Sequence, residues 1–570
     1  MNSICVVPRR KLPYLSLGVV LAGISLTALT NGFSGKALAQ NLPPAQVSGE
    51  AVVLAVDDFE NSQSEVRYFV RDEKTGVAHS LQFTDGAPEN FRTGARVTAR
   101  GAREGDHFKV SGSDVNIEGA GAVGAAGVAD LQAVPGTQTE PTASAGSAST
   151  TSITTTATGL LIAQKTIVML VNFRNAAIPC TRLGCNSAVF AATNSVQGMY
   201  KETSYGHVSY SGTTVGPFTI SASNTDACPS PYLPTLDTWA AQADAQAVKA
   251  GVNLTGYTEK VYLLPPTSRC GGFKGYSTIG GSPGMAFVFA CQYTDLIAHE
   301  MGHNLGMNHS STPSSDYGDY SDIMGISLLA LRDLDAPHRV EFGWLPSTHL
   351  RTVTAGGTYT IAPLESNPAV TSLPEALRIY APSLKAYYYF SFRQPLGYDA
   401  VLPKFSSGLY TNGVSVHRWT GSNAHTYFLK GLTDGTSFVD STNHITVKQV
   451  RHASSGVTVT VSLGSATATV ASPSLSFTNQ TVGAGGAVQT ASFSNTGGDA
   501  MTIYSLGITG ANNQDFHVVS KTCGSILEAG ESCTVTVQFK PLRSGTRSAF
   551  VALATETGTQ EVSLTGTANN

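Results

Sequence analysis

Three histidines and one glutamate lie within eleven residues, at spacings that suit the binding of one metal ion. They are His299, Glu300, His303 and His309 in the stretch HEMGHNLGMNH. Residues four apart share one face of a helix, so His299 and His303 can direct two imidazoles at one ion. Glu300 stands beside the first ligand, where it can hold a water molecule and take its proton. The predicted chemistry is hydrolysis by activated water at zinc.

Gly306 explains how the third histidine reaches the same ion. Three more helical residues would carry His309 away from the face that holds the other two. Glycine adopts the positive φ that ends a helix and turns the chain, so His309 can return as a third nitrogen ligand. Three protein ligands leave a fourth position for water, which is the catalytic form of a zinc site. Ile297, Met301 and Leu305, spaced by four, are expected to anchor the helix in the core.

A bare HExxH also occurs by chance on ordinary helices, but Gly306 and His309 extend it to the metzincin signature. Metzincins carry a methionine turn downstream, and Met324 in Asp322–Gly325 is the candidate. Its thioether is expected to pack beneath the ligands without binding the metal. Here the second residue after that methionine is Ile326, where some metzincins place a ligating tyrosine.

Further runs resemble the gametolysin family of metzincins. They are YGDYSDIMG (317–325), DAPH (335–338), GWL (343–345), SV (195–196), SYG (204–206) and YTEKVY (257–262). The resemblance covers about 160–460 and implies a secreted zinc endopeptidase that acts on extracellular or cell-wall proteins. It also implies an α/β catalytic domain with a twisted sheet and an active-site helix. Metzincins hold substrate extended against an edge strand, and 276–290 is the candidate for that wall.

The composition favours a β-rich extracellular protein of several domains, and the resemblance adds an α/β catalytic domain to the all-β regions. A chain of 570 residues is too long for one core. Charged residues make up 13%, about half the usual share, and the net charge of −4 predicts no general attraction to nucleic acid.

Residues 1–39 have the pattern of a signal peptide: a basic start (9–11), an apolar stretch (15–29) and small residues before a cut after Ala39. Polar residues interrupt the stretch short of membrane-spanning length, so an anchor is the weaker reading. We therefore expect a secreted protein without a membrane span in the mature chain.

The region 40–117 alternates short apolar runs with turns and predicts a small β domain. It could be an inhibitory propeptide or an accessory binding or folding domain, and the sequence leaves both open. It contains no cysteine, so any latency requires another ligand or bulk obstruction. Residues 118–158 are rich in Gly, Ala, Ser and Thr and predict a flexible linker, where maturation cleavage would occur.

The catalytic region is expected to span 159–349. Strands are predicted at 166–171 and 261–264, and helices at 187–201 and 236–250. Asp316, Asp319 and Asp322 could bind Ca²⁺ but lack the EF-hand pattern, so a solvated loop is the preferred reading. Tyr317 or Tyr320 could stabilise an oxyanion, although no pattern places them.

Two β-rich regions follow, at 350–465 and 469–570. The second predicts a seven-strand sandwich and resembles the choice-of-anchor Ig-like domain through SNTGG (494–498), CTVTVQFKP (533–541) and GTA (566–568). His417, His425, His444 and His452 have no ligand spacing and are assigned no metal.

Seven cysteines follow the signal peptide, and export predicts that most are oxidised. Cys523 is expected to pair with Cys533. Cys180 and Cys185 are close enough to close a small loop. The other three leave one odd thiol.

The function that these patterns favour is peptide-bond hydrolysis with one catalytic zinc and polypeptide substrates. A rival from another class is an extracellular adhesin whose peptidase region has degenerated. A zinc hydrolase acting on a non-peptide amide is a third reading. The oligomeric state and the cleavage preference are not predicted.

Overall fold

The computed structural model describes residues 45–105, 107–118, 161–226, 232–267, 275–327, 330–406, 408–421 and 424–570. The predicted signal peptide, nearly all of the predicted linker, Cys228 and Cys270 lie outside these ranges. The fold is mixed α/β, with several sheets and few helices. Among the described helices, none has the length and apolar character needed to cross a membrane.

The first six strands form the N-terminal barrel, residues 45–118. They are β1 Ala45–Asp58, β2 Gln63–Asp72, β3 Ala78–Phe83, β4 Arg96–Glu104, β5 His107–Val110 and β6 Val115–Glu118. β1 pairs with β2 and β4, and β3 and β5 complete the circuit, so five strands close on one another. Closure removes most free strand edges.

The described part of the catalytic region contains five helices and six strands. They are β7 Ile162–Asn172, α1 Arg182–Phe190, α2 Val196–Thr203, β8 Val208–Thr219, α3 Leu233–Lys249, β9 Glu259–Leu263, β10 Gly275–Thr278, β11 Gly284–Val288, α4 Thr294–Leu305, β12 Ser310–Ser311 and α5 Ala336–Glu341. Strands β11, β9, β7 and β8 are parallel neighbours, and β10 runs antiparallel to β11. The predicted strands 166–171 and 261–264 are confirmed.

β10 is also antiparallel to β1, so the barrel and the catalytic strands form one sheet of eleven strands. The apolar run of β1 is buried on both faces because its side chains alternate between two cores. Val52, Leu54 and Val56 pack with the catalytic core around α3. The intervening small and apolar side chains, Ala51, Val53 and Ala55, pack inside the barrel.

The predicted helix at 187–201 is wrong, because two helices occupy this stretch. Ser195 interrupts it with extended backbone, and its hydroxyl accepts a hydrogen bond from the amide of Gly198 at 3.0 Å. This is the geometry of an N-cap, and it starts α2 as a new helix. The predicted helix at 236–250 is confirmed, although it begins at Leu233 and ends at Lys249.

The third region forms two sheets. Its elements are β13 Leu350–Thr352, β14 Gly357–Ile361, β15 Ala376–Ala381, β16 Ala386–Phe392, α6 Pro403–Ser406, β17 Val414–Trp419, β18 Thr426–Gly431, β19 Ser437–Asp440, β20 Ile445–Ala453 and β21 Gly456–Leu463. One sheet has the order β12-β18-β17-β16-β15-β13, and the other β14-β21-β20-β19. The catalytic region therefore contributes β12 to a sheet of this region.

The last region forms two facing sheets of four and five strands. Its strands are β22 Ala468–Val470, β23 Ser474–Thr481, β24 Val488–Asn495, β25 Met501–Thr509, β26 Phe516–Lys521, β27 Ile526–Leu527, β28 Ser532–Phe539, β29 Gly545–Thr555 and β30 Gly558–Asn569. The predicted count of seven is wrong, since the described residues contain nine. Very short strands such as β22 and β27 carry no alternating pattern. The Ig-like identification stays a prediction.

Two disulfides join described cysteines, Cys180–Cys291 and Cys523–Cys533. The second was predicted, but a Cys180–Cys185 loop is wrong. Helix α1 starts between these two residues, so Cys185 is buried on the helix as a free thiol while Cys180 remains outside it. Cys180 instead meets Cys291, close to the start of α4.

Candidate active site

Helix α4 holds the first two predicted ligands at the bottom of a buried site. His299 and His303 have no solvent exposure. The Nδ1 of His299 donates to the carbonyl of Ile323 at 2.9 Å, and that of His303 donates to the carbonyl of Met307 at 2.8 Å. A carbonyl only accepts, so each Nδ1 carries the proton and each Nε2 keeps its lone pair. Burial lowers the pKa of His299 well below its usual value, which favours the neutral ring.

The third histidine arrives as predicted. Gly306 has a φ of 115° and caps α4, and the chain turns back toward the helix. The carbonyl of His309 accepts the amide of Thr426 at 3.0 Å, at the point where β12 joins β18. The third region therefore fixes the backbone of this ligand. The Nε2 atoms of His309 and His303 lie 3.1 Å apart.

A fourth residue that the sequence interpretation missed joins the three imidazoles. Asp57, the penultimate residue of β1, is fully buried. Its Oδ1 is 2.9 Å from the Nε2 of His309, and its Oδ2 is 3.3 Å from that of His303 and 3.9 Å from that of His299. Burial disfavours its charge, but His309 and His303 outweigh burial and hold the pKa of Asp57 well below its usual value.

These four residues fit a zinc ion. Tetrahedral zinc with bonds of about 2.0–2.1 Å separates its ligand atoms by about 3.4 Å, close to the separations found here. Within the described ranges, the Nε2 of His299 has no hydrogen-bond partner although it is buried. A buried lone pair of this kind is costly unless a cation or donor receives it. The tautomers of His299 and His303 are those required for binding through Nε2.

Glu300 lies beneath β10, beside the ligand cluster. Its Oε2 accepts a hydrogen bond from the hydroxyl of Ser277 at 2.5 Å. A Cβ at Gly275 would stand 1.7 Å from its Oε1, so glycine is required for the carboxyl group to fit under the strand. Burial, reinforced by the charge of Asp57, raises the pKa of Glu300 well above its usual value.

Met324 packs under the ligand helix, where the methionine turn was predicted. Its sulfur would lie 2.3 Å from a Cβ on Gly302, which lies between the two predicted ligands His299 and His303 in the helix. The hydroxyl of Tyr200 approaches the same point and donates to the carbonyl of Ala298 at 2.8 Å. Ile297, Met301 and Leu305 are buried in the same core, as predicted.

Of the two predicted oxyanion donors, only Tyr317 faces the site. Its ring is 4.7 Å from the ring of His309, and its hydroxyl donates to the Oδ1 of Asp57 at 2.8 Å. The side chain of Tyr320 is 43% exposed. An exposed side chain of this kind gives no reason to assign Tyr320 a role in the buried site.

The predicted solvated loop at 316–322 is wrong for two of its three aspartates, because Asp319 and Asp322 are fully buried. With Asp335, His338 and His417 they form a second cluster of titratable groups. His417 donates to Asp319 at 2.9 Å, and His338 donates to Asp322 at 3.0 Å. Burial opposes these charges, but the partners outweigh it, so the pKa of Asp319 falls to about 2 and that of His338 rises to about 10.

In this second cluster every carboxylate oxygen already accepts a hydrogen bond. The donors outside the two histidines are the backbone amides of Ser321, Met324, Asp335 and His338 and the hydroxyls of Ser310, Ser321 and Thr426. Ser310 directly follows the ligand His309, and Met324 is the methionine of the turn. The cluster therefore braces both segments as an ion-pair network.

Comparisons with known proteins give one informative relative. The autolysin of Chlamydomonas reinhardtii is 30% identical over 126 residues, which cover 18% of this chain and 20% of the autolysin. The chain thus matches only about a fifth of that protein's length.

Solved structures match weakly. The PapD-like domain 7 of human CEP192 is 14% identical, and the match covers 18% of this chain and 85% of that one with a TM-score of 0.14. The secreted serine protease VesC of Vibrio cholerae is 13% identical, and the match covers 38% of this chain and 46% of that one with a TM-score of 0.15. Scores this low carry no argument.

The family comparison covers the part of the chain that builds the site. Residues 166–453, about half of the chain, match the family model described as Gametolysin peptidase M11. This range includes the three histidines, Glu300, Met324 and the strands that hold them. The chain therefore belongs to the gametolysin M11 peptidase family, whose members are zinc metalloendopeptidases.

Proposed function

We propose that this protein is a secreted endopeptidase that cleaves extracellular or cell-wall proteins with one zinc ion held by His299, His303 and His309. The observation that carries the proposal is the convergence of three imidazoles beside one buried glutamate. The predicted signal peptide and the two disulfides support secretion. A complete set of ligands and base supports the enzyme over a degenerate adhesin.

The chain's own groups provide binding, proton transfer and charge stabilisation. Zinc, when bound, would polarise the scissile carbonyl and acidify water. Glu300 accepts the proton of the attacking water and delivers it to the leaving amine. Ser277 holds one oxygen of that carboxyl group in place. The hydroxyl of Tyr317 lies beside the ligand cluster and donates to Asp57, so it would be free to donate to the oxyanion once Asp57 is displaced.

The substrate would lie extended along β10. This strand runs directly over Glu300, and one of its edges pairs with the extended strand β1, so that edge suits an extended polypeptide once β1 is removed. Backbone pairing gives affinity without sequence selectivity, so pockets beside the strand would set the cleavage preference. This assigns the predicted substrate wall 276–290 chiefly to β10.

The test compares casein hydrolysis by zinc-loaded protein with that of Glu300→Ala at matched zinc content. Each protein is assayed before and after cleavage within 119–160. We expect Glu300→Ala to retain zinc and to lose about 10²–10⁴-fold in rate, the usual contribution of a general base. Glu556 is an exposed turn residue far from Glu300 in the sequence. Glu556→Ala therefore serves as the matched control and should keep full activity.

Equal zinc loss in Glu300→Ala and His303→Ala would contradict the assigned roles. Hydrolysis of peptidoglycan but not of casein would favour the non-peptide amide hydrolase. Inactivity of the cleaved, zinc-loaded wild type toward a broad peptide library would favour the degenerate adhesin over the enzyme.

A further inference from the structure

The end of β1 places a carboxylate where a fourth metal ligand would stand. Asp57 approaches the Nε2 atoms of all three histidines within 3.9 Å. Tyr317 donates to the same carboxylate. Carboxylate oxygen is a normal zinc ligand, and a buried anion of this kind needs a cation to offset its desolvation. Three imidazoles and one carboxylate would complete a four-coordinate site, which is the closed rather than the open arrangement.

The strand that carries Asp57 also occupies the edge expected to bind substrate. Leu54, Ala55, Val56 and Asp57 pair antiparallel with Thr278, Ser277, Tyr276 and Gly275. The other edge of β10 is paired with β11. Within the described sheet, β10 therefore has neighbours on both sides. An extended polypeptide could not add to β10 while β1 remains there.

Phe59 extends the obstruction beyond the metal. It is 5% exposed and belongs to the catalytic core rather than to the core of the barrel. Its ring meets that of His299 edge to face at 5.0 Å and that of Tyr317 at 4.7 Å. The segment from Asp57 to Phe59 thus inserts one carboxylate and one ring into the site.

The barrel is held to the catalytic region by further contacts. Arg71 forms a two-point ion pair with Asp237 of α3, at 2.6 and 3.1 Å. The amide and hydroxyl of Ser64 both donate to Asp316 at 3.2 Å. The barrel nevertheless has its own apolar core, so it can be regarded as a unit that docks.

We propose that Asp57 is the fourth protein ligand of the metal in the uncleaved chain, and that β1 fills the substrate position, so that the N-terminal barrel keeps the peptidase latent. The inference rests on the proposed function. It resolves the two readings of 40–117 in favour of an inhibitory propeptide. The absence of cysteine from this region is then explained, because a carboxylate serves as the blocking ligand.

The test uses the full chain, loaded with zinc or with cobalt(II), as wild type, Asp57→Ala, Asp57→Asn and Asp58→Ala. Asp58 is the matched control, since it directly follows Asp57 at the end of β1 and accepts hydrogen bonds from the amide and side chain of Asn61. Asp57→Asn is included because asparagine keeps nearly the shape of the aspartate side chain, so this variant serves if Asp57→Ala folds poorly. The readouts are the visible spectrum of bound cobalt and the rate at which a chelator removes zinc.

We expect both Asp57 variants to change the cobalt spectrum and to release zinc about tenfold faster or more, while Asp58→Ala matches wild type. Identical spectra and release rates in wild type and both Asp57 variants would overturn the proposal while leaving the peptidase intact. Failure of all four proteins to bind either metal would overturn the proposal together with the proposed function.

The strand is tested separately from the ligand. A recognition sequence for a site-specific protease is inserted after Gly136, and the N-terminal fragment is removed after cleavage. We expect casein hydrolysis to rise at least about tenfold on removal, and uncleaved Asp57→Ala to stay slow because β1 still covers β10. Equal hydrolysis by the uncleaved and trimmed wild type would overturn the proposal.

Discussion

Two buried clusters of aspartate and histidine differ in how their polar atoms are satisfied. In the ligand cluster, Asp57 and three imidazoles converge, and one buried Nε2 lacks a hydrogen-bond partner in the described ranges. In the bracing cluster around Asp319 and Asp335, every carboxylate oxygen accepts a hydrogen bond, and each histidine donates to one of them. His338 Nε2 and His417 Nδ1 also have no hydrogen-bond partner in the described ranges, but they are not the nitrogens that contact the aspartates. The same residue types therefore bring unused lone pairs together in one place and form an ion-pair network in the other.

The difference shows that residue type and proximity are not enough to define a metal site. A metal needs lone pairs that point at one position and are not already used. The carbonyls of Ile323 and Met307 leave the lone pairs of His299 and His303 available. Around Asp319 and Asp335, hydroxyls and amides already donate to the carboxylate lone pairs, so these lone pairs are not available to a metal. Four variants, in three predictions, test this contrast and one buried carboxylate outside both clusters.

The largest effect is expected from the same substitution made in each cluster. His303→Ala should lose the bound zinc and all hydrolysis. His417→Ala should keep one zinc per chain but lower the free energy of unfolding by about 3–5 kcal/mol, because Asp319 would remain buried without its partner. Metal analysis and thermal unfolding of the two variants measure both quantities. Loss of a second metal equivalent in His417→Ala would show that the bracing cluster also binds an ion.

A smaller effect is expected for Tyr317→Phe, which removes one hydroxyl from the ligand cluster and leaves the ring in place. In trimmed protein we expect kcat to fall by about 10–100-fold with zinc content and KM nearly unchanged, as for loss of one donor to the oxyanion. Steady-state kinetics on a peptide substrate measures it. An equal loss in kcat and zinc content would make Tyr317 a structural residue only.

The smallest effect concerns Glu259, a buried carboxylate in neither cluster. Burial raises its pKa to about 8, since only the hydroxyl of Thr166 opposes the shift. Between about pH 4.5 and 8 the folded chain holds a proton that the unfolded chain has released, so stability falls as pH rises through this window. Glu259→Gln should remove this fall and raise Tm at pH 8 by a few degrees more than at pH 5. An equal change at both values would contradict the raised pKa.

Local pattern predicted the parts of the site that lie close together in the chain. The spacing of His299 and His303, the glycine that returns His309 and the methionine turn at Met324 depend on helix geometry and on one residue with positive φ. Strands such as β7 and β28 were also predicted from local pattern. A continuous apolar run indicates a strand buried on both faces, and alternation indicates one buried face.

Tertiary structure alone decided the features that join distant segments. Asp57 lies some 240 residues before the ligands, and the only trace in the sequence is an acidic pair that ends an apolar strand. The Cys180–Cys291 disulfide and the bracing cluster likewise join segments brought together by packing. The sequence by itself determined the helix of His299 and His303, the glutamate beside them and the return of His309, because these follow from backbone geometry within a few turns. Only the tertiary structure decided that Asp57 lies against the three histidines and that β1 pairs with β10, because contacts across hundreds of residues leave no periodic signal in the chain.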